Sequence, residues 1–441
     1  MDSSESQPEN CLDLSLVLSA AVGLHQAGQL EQAEALYLTI IDQFPQCLEA
    51  LHFLGLLMHH QGEHSGGIEL IERVLVEAPD YQDARINLGN IFLTLKRFDA
   101  AVDSYRRVLT AAPGNIPAWN NLGIALKALD RLDESVAVLL NAIGLMPDNA
   151  ELFHNLGNSY RKQCKFAEAA QAYRRALELR PYNPEDYENL CVMLYLLQQF
   201  DEAIPLVEQW LKHDPRNPLA LHRLYAFSGQ SVLERAGDEY VRQTFDGFAD
   251  CFDTVLEKLD YKAPQLVAAA LGAVVPATGA ALRILDAGCG TGLCGPLLRS
   301  HASQLSGIDL SPKMLERAAI RACYDELFQG ELTAFIGTHH QAFDAIVSAD
   351  TLVYFGDLTP VFRAVKGALV AGGHFVFTLE SEPERSVQAY KINPHGRFSH
   401  TQGYVEATLA EVGFYSMKMD AVTLRSEGGL PVYGFLVLAR C

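Results

Sequence analysis

Residues 284–292 read Ile284-Leu285-Asp286-Ala287-Gly288-Cys289-Gly290-Thr291-Gly292, and Asp309 stands 23 residues after Asp286. The glycine run follows an apolar stretch and opens a helical one, which is the context that gives such a run chemical meaning. Glycines at 288, 290 and 292 let the backbone approach a ligand closely. Asp309 closes the next apolar run, where a carboxylate can accept hydrogen bonds from both hydroxyls of a ribose. A dinucleotide or an adenosyl ligand fits these features equally well. Further on, Tyr354, Glu380, Arg397, His400 and Tyr404 have side chains suited to work on a second reactant. Arg397 and His400 fall in Gly396-Arg397-Phe398-Ser399-His400, a segment expected between a strand and a helix at the carboxyl edge of a sheet, where ligands bind. His400 and Tyr354 are the expected catalytic residues, His400 as a base near neutral pH. The competing reading of His400 is that Ser399 or Thr401 caps the following helix and the imidazole only packs there.

The elements that must position these residues alternate. Strands are expected at 282–286, 304–309, 327–329, 343–349 and 374–380, with two closing strands at 414–425 and 431–440. Helices are expected at 294–301, 311–322, 361–369 and 403–412. Strands alternating with helices make a doubly wound sheet with parallel strands. Ahead of it, 240–259 reads as a helix pair carrying Phe245, Phe248 and Phe252. The Ala-rich stretch 263–282 is interrupted by Gly272, Pro276 and Gly279. A membrane span needs about 20 predominantly apolar residues, so this stretch reads as a helix, a turn and the lead-in to a strand.

The first half of the chain obeys a different rule. Pro45, Pro79, Pro113, Pro147, Pro181 and Pro215 are 34 residues apart. With each proline at position 32, position 8 holds Ala21, Gly55, Gly89, Gly123, Gly157 and Cys191, and position 20 holds Ala33, Gly67, Ala101, Ser135, Ala169 and Ala203. Small residues at both positions let two antiparallel helices approach closely. Position 24 is mostly large (Tyr37, Ile71, Tyr105, Leu139, Tyr173, Val207) and is expected to fill space between units. A 34-residue unit cannot bury its own apolar face, so it stacks on its neighbours and leaves an extended concave surface. Position 6 carries Asn87, Asn121, Asn155 and Asn189. An amide both donates and accepts, so four of them at one spacing could hold a peptide backbone whatever its sequence. Alternatively, Asn simply suits the polar side of the first helix. His59, His60 and His64 cluster at a turn and read as solvated.

The repeat resembles the tetratricopeptide repeat. Trp119, Leu122, Gly123, Ala142 and Pro147, then Leu156, Gly157, Tyr160, Ala169, Tyr173, Ala176 and Pro181, stand at that family's positions. The asparagine series resembles the ladder in the repeats of O-linked N-acetylglucosamine transferase. The run from Leu285 to Gly292, followed by Gly307-Ile308-Asp309-Leu310-Ser311-Pro312-Lys313-Met314, resembles the class I S-adenosylmethionine-dependent methyltransferases. Dinucleotide folds usually lack the acid two residues before the first glycine. The resemblance implies S-adenosylmethionine as cofactor. Asp286 would bond to its amino group, directly or through water, and Gly288 and Gly290 would line its methionine part. Asp309 and Leu310 would hold the ribose side and Met314 would pack near the adenine. Glu331 and Leu332 match an Asp-Leu pair that often borders the adenine, with Glu in place of Asp. Ala349 and Asp350 would border both cofactor and acceptor, and the helices at 240–259 would cover the cofactor or pack as core.

The expected architecture is therefore an α-solenoid of about six repeats with a capping helix over 11–230, then a Rossmann-like methyltransferase sheet with lid helices over 231–441. The expected function is methyl transfer to a protein or peptide recruited by the repeat groove. The alternatives are a small-molecule methyltransferase with the repeats as scaffold, and a repeat adaptor with a relic cofactor fold. The tetrapeptide of adenine and glutamine methyltransferases is absent after the fourth strand, where Asp350-Thr351-Leu352-Val353-Tyr354 stands instead. A net charge of −20 argues against a nucleic-acid partner, which needs clustered Lys and Arg. Nine cysteines without metal spacing suggest reduced thiols and a cytoplasmic setting, with no metal site and no membrane partner expected. The polar stretch 1–10 does not read as a signal peptide.

Overall fold

Each repeat begins where the 34-residue count places it. In the computed structural model, which describes residues 13–229, 233–275, 282–383 and 388–441, the helix pairs are Leu14–Gln26 and Leu30–Gln43 (α1, α2), Leu48–His60 and His64–Glu77 (α3, α4), Gln82–Thr94 and Phe98–Ala111 (α5, α6), Ile116–Ala128 and Leu132–Leu145 (α7, α8), Ala150–Lys162 and Phe166–Leu179 (α9, α10), and Pro184–Leu196 and Phe200–His213 (α11, α12). Every second helix stops two residues before its proline. From the third repeat boundary on, Asn115, Asn149, Asn183 and Asn217 follow the prolines by two residues and cap the next helix, each side chain accepting from a free backbone N–H of the first turn. The small positions meet as expected. A Cβ on Gly67 would come within 2.4 Å of the Gly55 carbonyl oxygen. The large position 24 lies over position 8 of its own unit: a Cβ on Gly89 or Gly157 would strike the ring of Tyr105 or Tyr173 at 2.7 or 2.6 Å.

The chain divides into two compact units between Leu197 and Gln198, so that α12 groups with the second unit. That unit continues with Pro218–Ser228 (α13), Asp238–Phe248 (α14), Phe252–Lys258 (α15) and Ala263–Val274 (α16). The turn expected around Pro276 and Gly279, like the polar stretch 1–10, lies outside the described residues. Then come Leu282–Ala287 (β1), Gly295–Leu298 (α17), Ala302–Asp309 (β2), Pro312–Ile320 (α18), Glu326–Gln329 (β3), Leu332–Gly337 (α19) and Phe343–Ser348 (β4). Thr359–Ala368 (α20), Leu369–Ser381 (β5), Tyr390–Ile392 (β6), Phe398–His400 (β7), Gln402–Val412 (α21), Tyr415–Glu427 (β8) and Leu430–Arg440 (β9) complete it.

Five strands run parallel in the order β3-β2-β1-β4-β5. β9 joins β5 antiparallel, from His374 opposite Arg440 to Glu380 opposite Gly434, and β8 pairs with β9. Successive residues of β1 face opposite cores, as the pleat demands: Leu285 packs with Ile346, Phe362 and Phe377, while Ile284 packs with Val267, Leu271 and Leu305. The segment 396–400 differs from expectation. It holds β7, which pairs parallel with the end of β5 and antiparallel with β6. Three-residue strands are too short for alternation to show in a sequence.

Candidate active site

The glycine turn after β1 is fixed from below. The backbone N–H groups of Gly288 and Cys289 both donate to the carbonyl oxygen of Ile308, each at 2.9 Å. Gly288 has φ +78°, and a Cβ there would overlap Thr351, 2.2 Å from Oγ1. Gly290, at φ +55°, differs: its Cβ would meet nothing nearer than the Phe252 ring at 4.0 Å. The open space beyond it is a cavity of about 410 Å³. Gly288, Gly290, Asp309 and Leu310 form one part of its wall, and Glu331, Leu332, Ala349, Asp350 and Tyr354 another. The sequence thus brings residues from four separate loops to one place, the carboxyl edge of the parallel strands.

Asp309 accepts from the Gly290 N–H and the Ser311 N–H, both at 2.9 Å. Burial still holds its carboxyl above the usual range, against the pull of those bonds. Asp286 and Met314 do not line the cavity; both are fully buried behind it. One Asp286 oxygen accepts from the Tyr324 hydroxyl at 2.6 Å, and the other, Oδ1, is buried without a hydrogen-bond partner. Burial pushes the Asp286 carboxyl up to about 7; the Tyr324 bond opposes this and the Asp309 charge adds to it. Glu331 caps α19, accepting from Thr333 and Ala334.

Phe245, Phe248 and Phe252, on α14 and α15, line the opposite wall. A carboxylate on each helix ties it to α18 and to the glycine turn. Asp246 accepts from the Ser311 hydroxyl at 2.6 Å, and Asp253 accepts from the Thr291 hydroxyl at 2.5 Å and pairs with Arg321. Phe245 meets Tyr354 edge to face at 5.5 Å between centroids.

His400 is not where a base must be. Its pairing with β5 and β6 puts it inside the sheet, fully buried and away from the cavity wall. Its Nε2 lies 3.1 Å from the Gly356 carbonyl oxygen, and burial lowers its pKa to about 4. The packing reading of His400 therefore replaces the catalytic one. Tyr404 is likewise structural, donating to Asp357 at 3.1 Å and accepting from the Leu358 N–H at 3.0 Å. Arg397 does line the cavity, and Glu380, buried behind the wall, joins it in an ion network with Arg425, Glu427, His395 and Asp350. The sequence reading missed Arg425, Glu427 and His395. The expected closing strand stops at 425, whereas β8 runs on to Glu427 and so sets Arg425 and Glu427, two apart, on one face, just past a register shift at Thr423–Arg425.

In the first unit each ladder asparagine bonds to the preceding repeat. Asn87 Nδ2 lies 3.0 Å from His52 Nε2, Asn121 donates to Asn90 at 2.8 Å, and Asn155 donates to Asn120 at 2.8 Å. Asn189 accepts from Arg161 at 2.9 Å. The histidines pair off, His59 with His64 and His25 with His60, each at 2.9 Å. Among the described residues no group of three or more side chains could hold a metal ion, and no helix is long and apolar enough to cross a membrane.

Comparison with known proteins agrees with this geometry. A family described as "Methyltransferase domain" matches residues 285–377, and tetratricopeptide repeat families match 19–82, 65–116, 92–158 and 150–183. The chain is 32% identical over 134 residues to 18S rRNA (guanine-N(7))-methyltransferase of Bos taurus, an overlap covering 28% of this chain and 47% of that protein. It is 38% identical over 84 residues to methyltransferase-like protein 27 of Homo sapiens (19% and 34%). It is 31% identical over 104 residues to malonyl-[acyl-carrier protein] O-methyltransferase of Erwinia pyrifoliae (24% and 39%). The chain thus spans less than half the length of each of these relatives. Among solved structures, PilF of Pseudomonas aeruginosa is similar at 15% identity and TM-score 0.41, covering 49% of this chain and 97% of that one. MamA of Desulfovibrio magneticus is similar at 20% identity and TM-score 0.35, covering 38% and 95%.

The second unit contains a methyltransferase domain with a mostly parallel sheet. The chain as a whole is a tetratricopeptide-repeat protein fused to that domain.

Proposed function

We propose that the chain is an S-adenosylmethionine-dependent methyltransferase whose acceptor is carried by a protein that the repeats recruit. The observation that carries the cofactor reading is the pair of buried carboxylates under the glycine turn. Asp286 and Asp309 have no cationic side chain bonded to either of them among the described residues, and Asp286 Oδ1 has no hydrogen-bond partner at all. Such a site favours a cationic ligand and disfavours the pyrophosphate of a dinucleotide. When bound, S-adenosylmethionine supplies an electrophilic methyl group on a sulfonium centre. Asp309 would hold the ribose hydroxyls, and the Gly288–Gly290 backbone would line the amino-acid part. Asp286, buried behind the cavity wall, would reach the amino group only through water. Leu310 and Leu332 give apolar contact, with Met314 packed beneath them. Phe245, Phe248 and Phe252 exclude water, and Tyr354 stands on the acceptor side. Alignment and water exclusion are the main requirements of such a transfer.

The repeats support a protein acceptor, because a stacked array presents a surface long enough for an extended chain. Two of the relatives named above carry names that specify rRNA and malonyl-[acyl-carrier protein]; a net charge of −20 disfavours the first as a model for this chain. The test is capture on the full-length protein followed by labelled methyl transfer to what is captured. Replacing Asn121, Asn155 and Asn189 together by Ala is expected to reduce capture strongly and to leave cofactor affinity unchanged. The same amides bridge repeats, so the array also loses roughly 0.5–1.5 kcal/mol for each bond removed. Circular dichroism must therefore show the variant folded. A folded variant that captures and methylates at the wild-type rate, at sub-saturating substrate, would refute the groove as docking site.

A further inference from the structure

One end of the cavity carries a buried ion network. Arg425, only 3% exposed, pairs with Asp350, Glu380 and Glu427. Arg397 pairs with Glu380 at 2.6 Å and with Glu427 at 2.7 Å. His395 accepts from the Arg397 N–H through Nδ1 at 3.2 Å, which leaves its proton on Nε2, 3.4 Å from Glu380. Burial lowers the His395 pKa to about 4, so it adds no charge at neutral pH. Three carboxylates thus face two guanidiniums. Of the other cationic residues on the cavity wall, Arg235 pairs with Asp238 and Glu331, and Arg223 comes from α13.

One atom of this network is unused. Asp350 turns its Oδ2 to Arg425, while Oδ1 is buried and has no hydrogen-bond partner. Asp350 lines the cavity beside Gly288 and Tyr354. Its backbone is held at φ +58°, a left-handed conformation uncommon for a residue with a side chain, with its N–H donating to Thr378 Oγ1 at 2.8 Å. Strain of this kind persists where the surroundings impose it, and it gathers at functional sites. Tyr354, Tyr261 and Phe245 line the same cavity, and Phe245 meets Tyr354 edge to face; such rings attract a cation and tolerate an alkyl chain.

We infer that the acceptor is an amine, and that Asp350 Oδ1 is the atom that receives its N–H hydrogen bond. An unused carboxylate oxygen and aromatic walls suit an amine better than an alcohol or a carboxylate: the N–H donates to the oxygen, and the proton that the amine must lose to free its lone pair for the methyl group passes to the same carboxylate. The inference rests on the methyltransferase reading above and names the chemistry of its acceptor: a lysine side chain if a protein supplies it, a free arylalkylamine if a small molecule does.

Calorimetry on the full-length protein saturated with S-adenosylhomocysteine tests this. The probes are N-acetyl-lysine methylamide, its norleucine and 6-hydroxynorleucine analogues, and the pair phenethylamine and phenethyl alcohol. The lysine derivative is expected to bind about tenfold more tightly than either analogue, the effect of one hydrogen bond to a charged group. Asp350→Asn is expected to bring the three within about twofold of one another. Should that variant fail to fold, the wild-type ranking decides alone. Preference for phenethylamine over its alcohol, with no preference for the lysine derivative, keeps the amine and assigns it to a small molecule. Equal binding within both series, or preference for the hydroxyl compounds, overturns the inference while the methyltransferase reading stands. Failure of S-adenosylhomocysteine itself to bind removes that reading and the inference with it.

Discussion

Gly290→Val should abolish binding of S-adenosylmethionine while the protein still folds. The substituent at position 290 points into the cavity, with no atom nearer than 4.0 Å, so the side chain occupies the space meant for the ligand. The left-handed backbone at φ +55° costs an L-residue about 1–2 kcal/mol. In a unit of this size that lowers the melting midpoint by several degrees without unfolding the domain at room temperature. The affinity loss should exceed about 100-fold, or roughly 2.7 kcal/mol. Gly288→Ala should behave in the opposite way, because its Cβ meets Thr351 at 2.2–2.7 Å rather than empty space. It should lower stability first and affinity as a consequence. Calorimetry paired with thermal melts separates the two. If Gly290→Val binds within threefold of wild type, the cavity is not the cofactor site.

Arg425→Ala should be the most destabilising single change in the catalytic unit. It strands Asp350 in the interior and leaves Glu380 with Arg397, and removing one partner of a buried ion pair typically costs about 3–5 kcal/mol. The loss should depend on pH. In the wild type the neighbouring arginines outweigh burial and hold the Glu380 carboxyl below its ordinary value. That contribution is present above the unfolded-state value and fades as pH falls through the folded one. Without Arg425, Glu380 keeps Arg397 and rises only in part, while Asp350, whose carboxyl burial already holds above its ordinary value, loses its partner and rises further. Its contribution then survives only in acid and is lost as pH rises. The deficit relative to wild type should be largest near pH 7 and shrink toward pH 4, as read by urea titrations at each pH. A deficit that is small, or independent of pH, would mean that the network is not what holds β8 against β5.

The repeat half was legible almost to the residue because its signals recur. One proline and two small positions, read at a fixed spacing, placed first helices beginning at Leu14, Leu48 and so on through Pro184. The glycine turn and Asp309 were legible because a close backbone approach leaves few residue types able to serve. The acceptor side was not. Arg425, His395 and Glu427 come from β8 and from the β6–β7 turn, and what unites them is tertiary pairing. His400 shows the converse: an imidazole near the carboxyl edge looks reactive in a sequence, yet the three residues of β7 carry it into the sheet. The ladder asparagines were visible as a series, but their bonds to His52, Asn90, Asn120 and Arg161 depend on how successive helices stack.

The most direct test of the catalytic reading is a calorimetric titration of the full-length protein with S-adenosylmethionine and, separately, with NADH. Asp309 and Asp286 beneath an open glycine turn should give saturable binding of S-adenosylmethionine and none of NADH. Asp309→Ala should weaken the first by about 1.5–3 kcal/mol, the range for hydrogen bonds to a charged group. Binding of NADH without binding of S-adenosylmethionine would contradict the cofactor assignment outright.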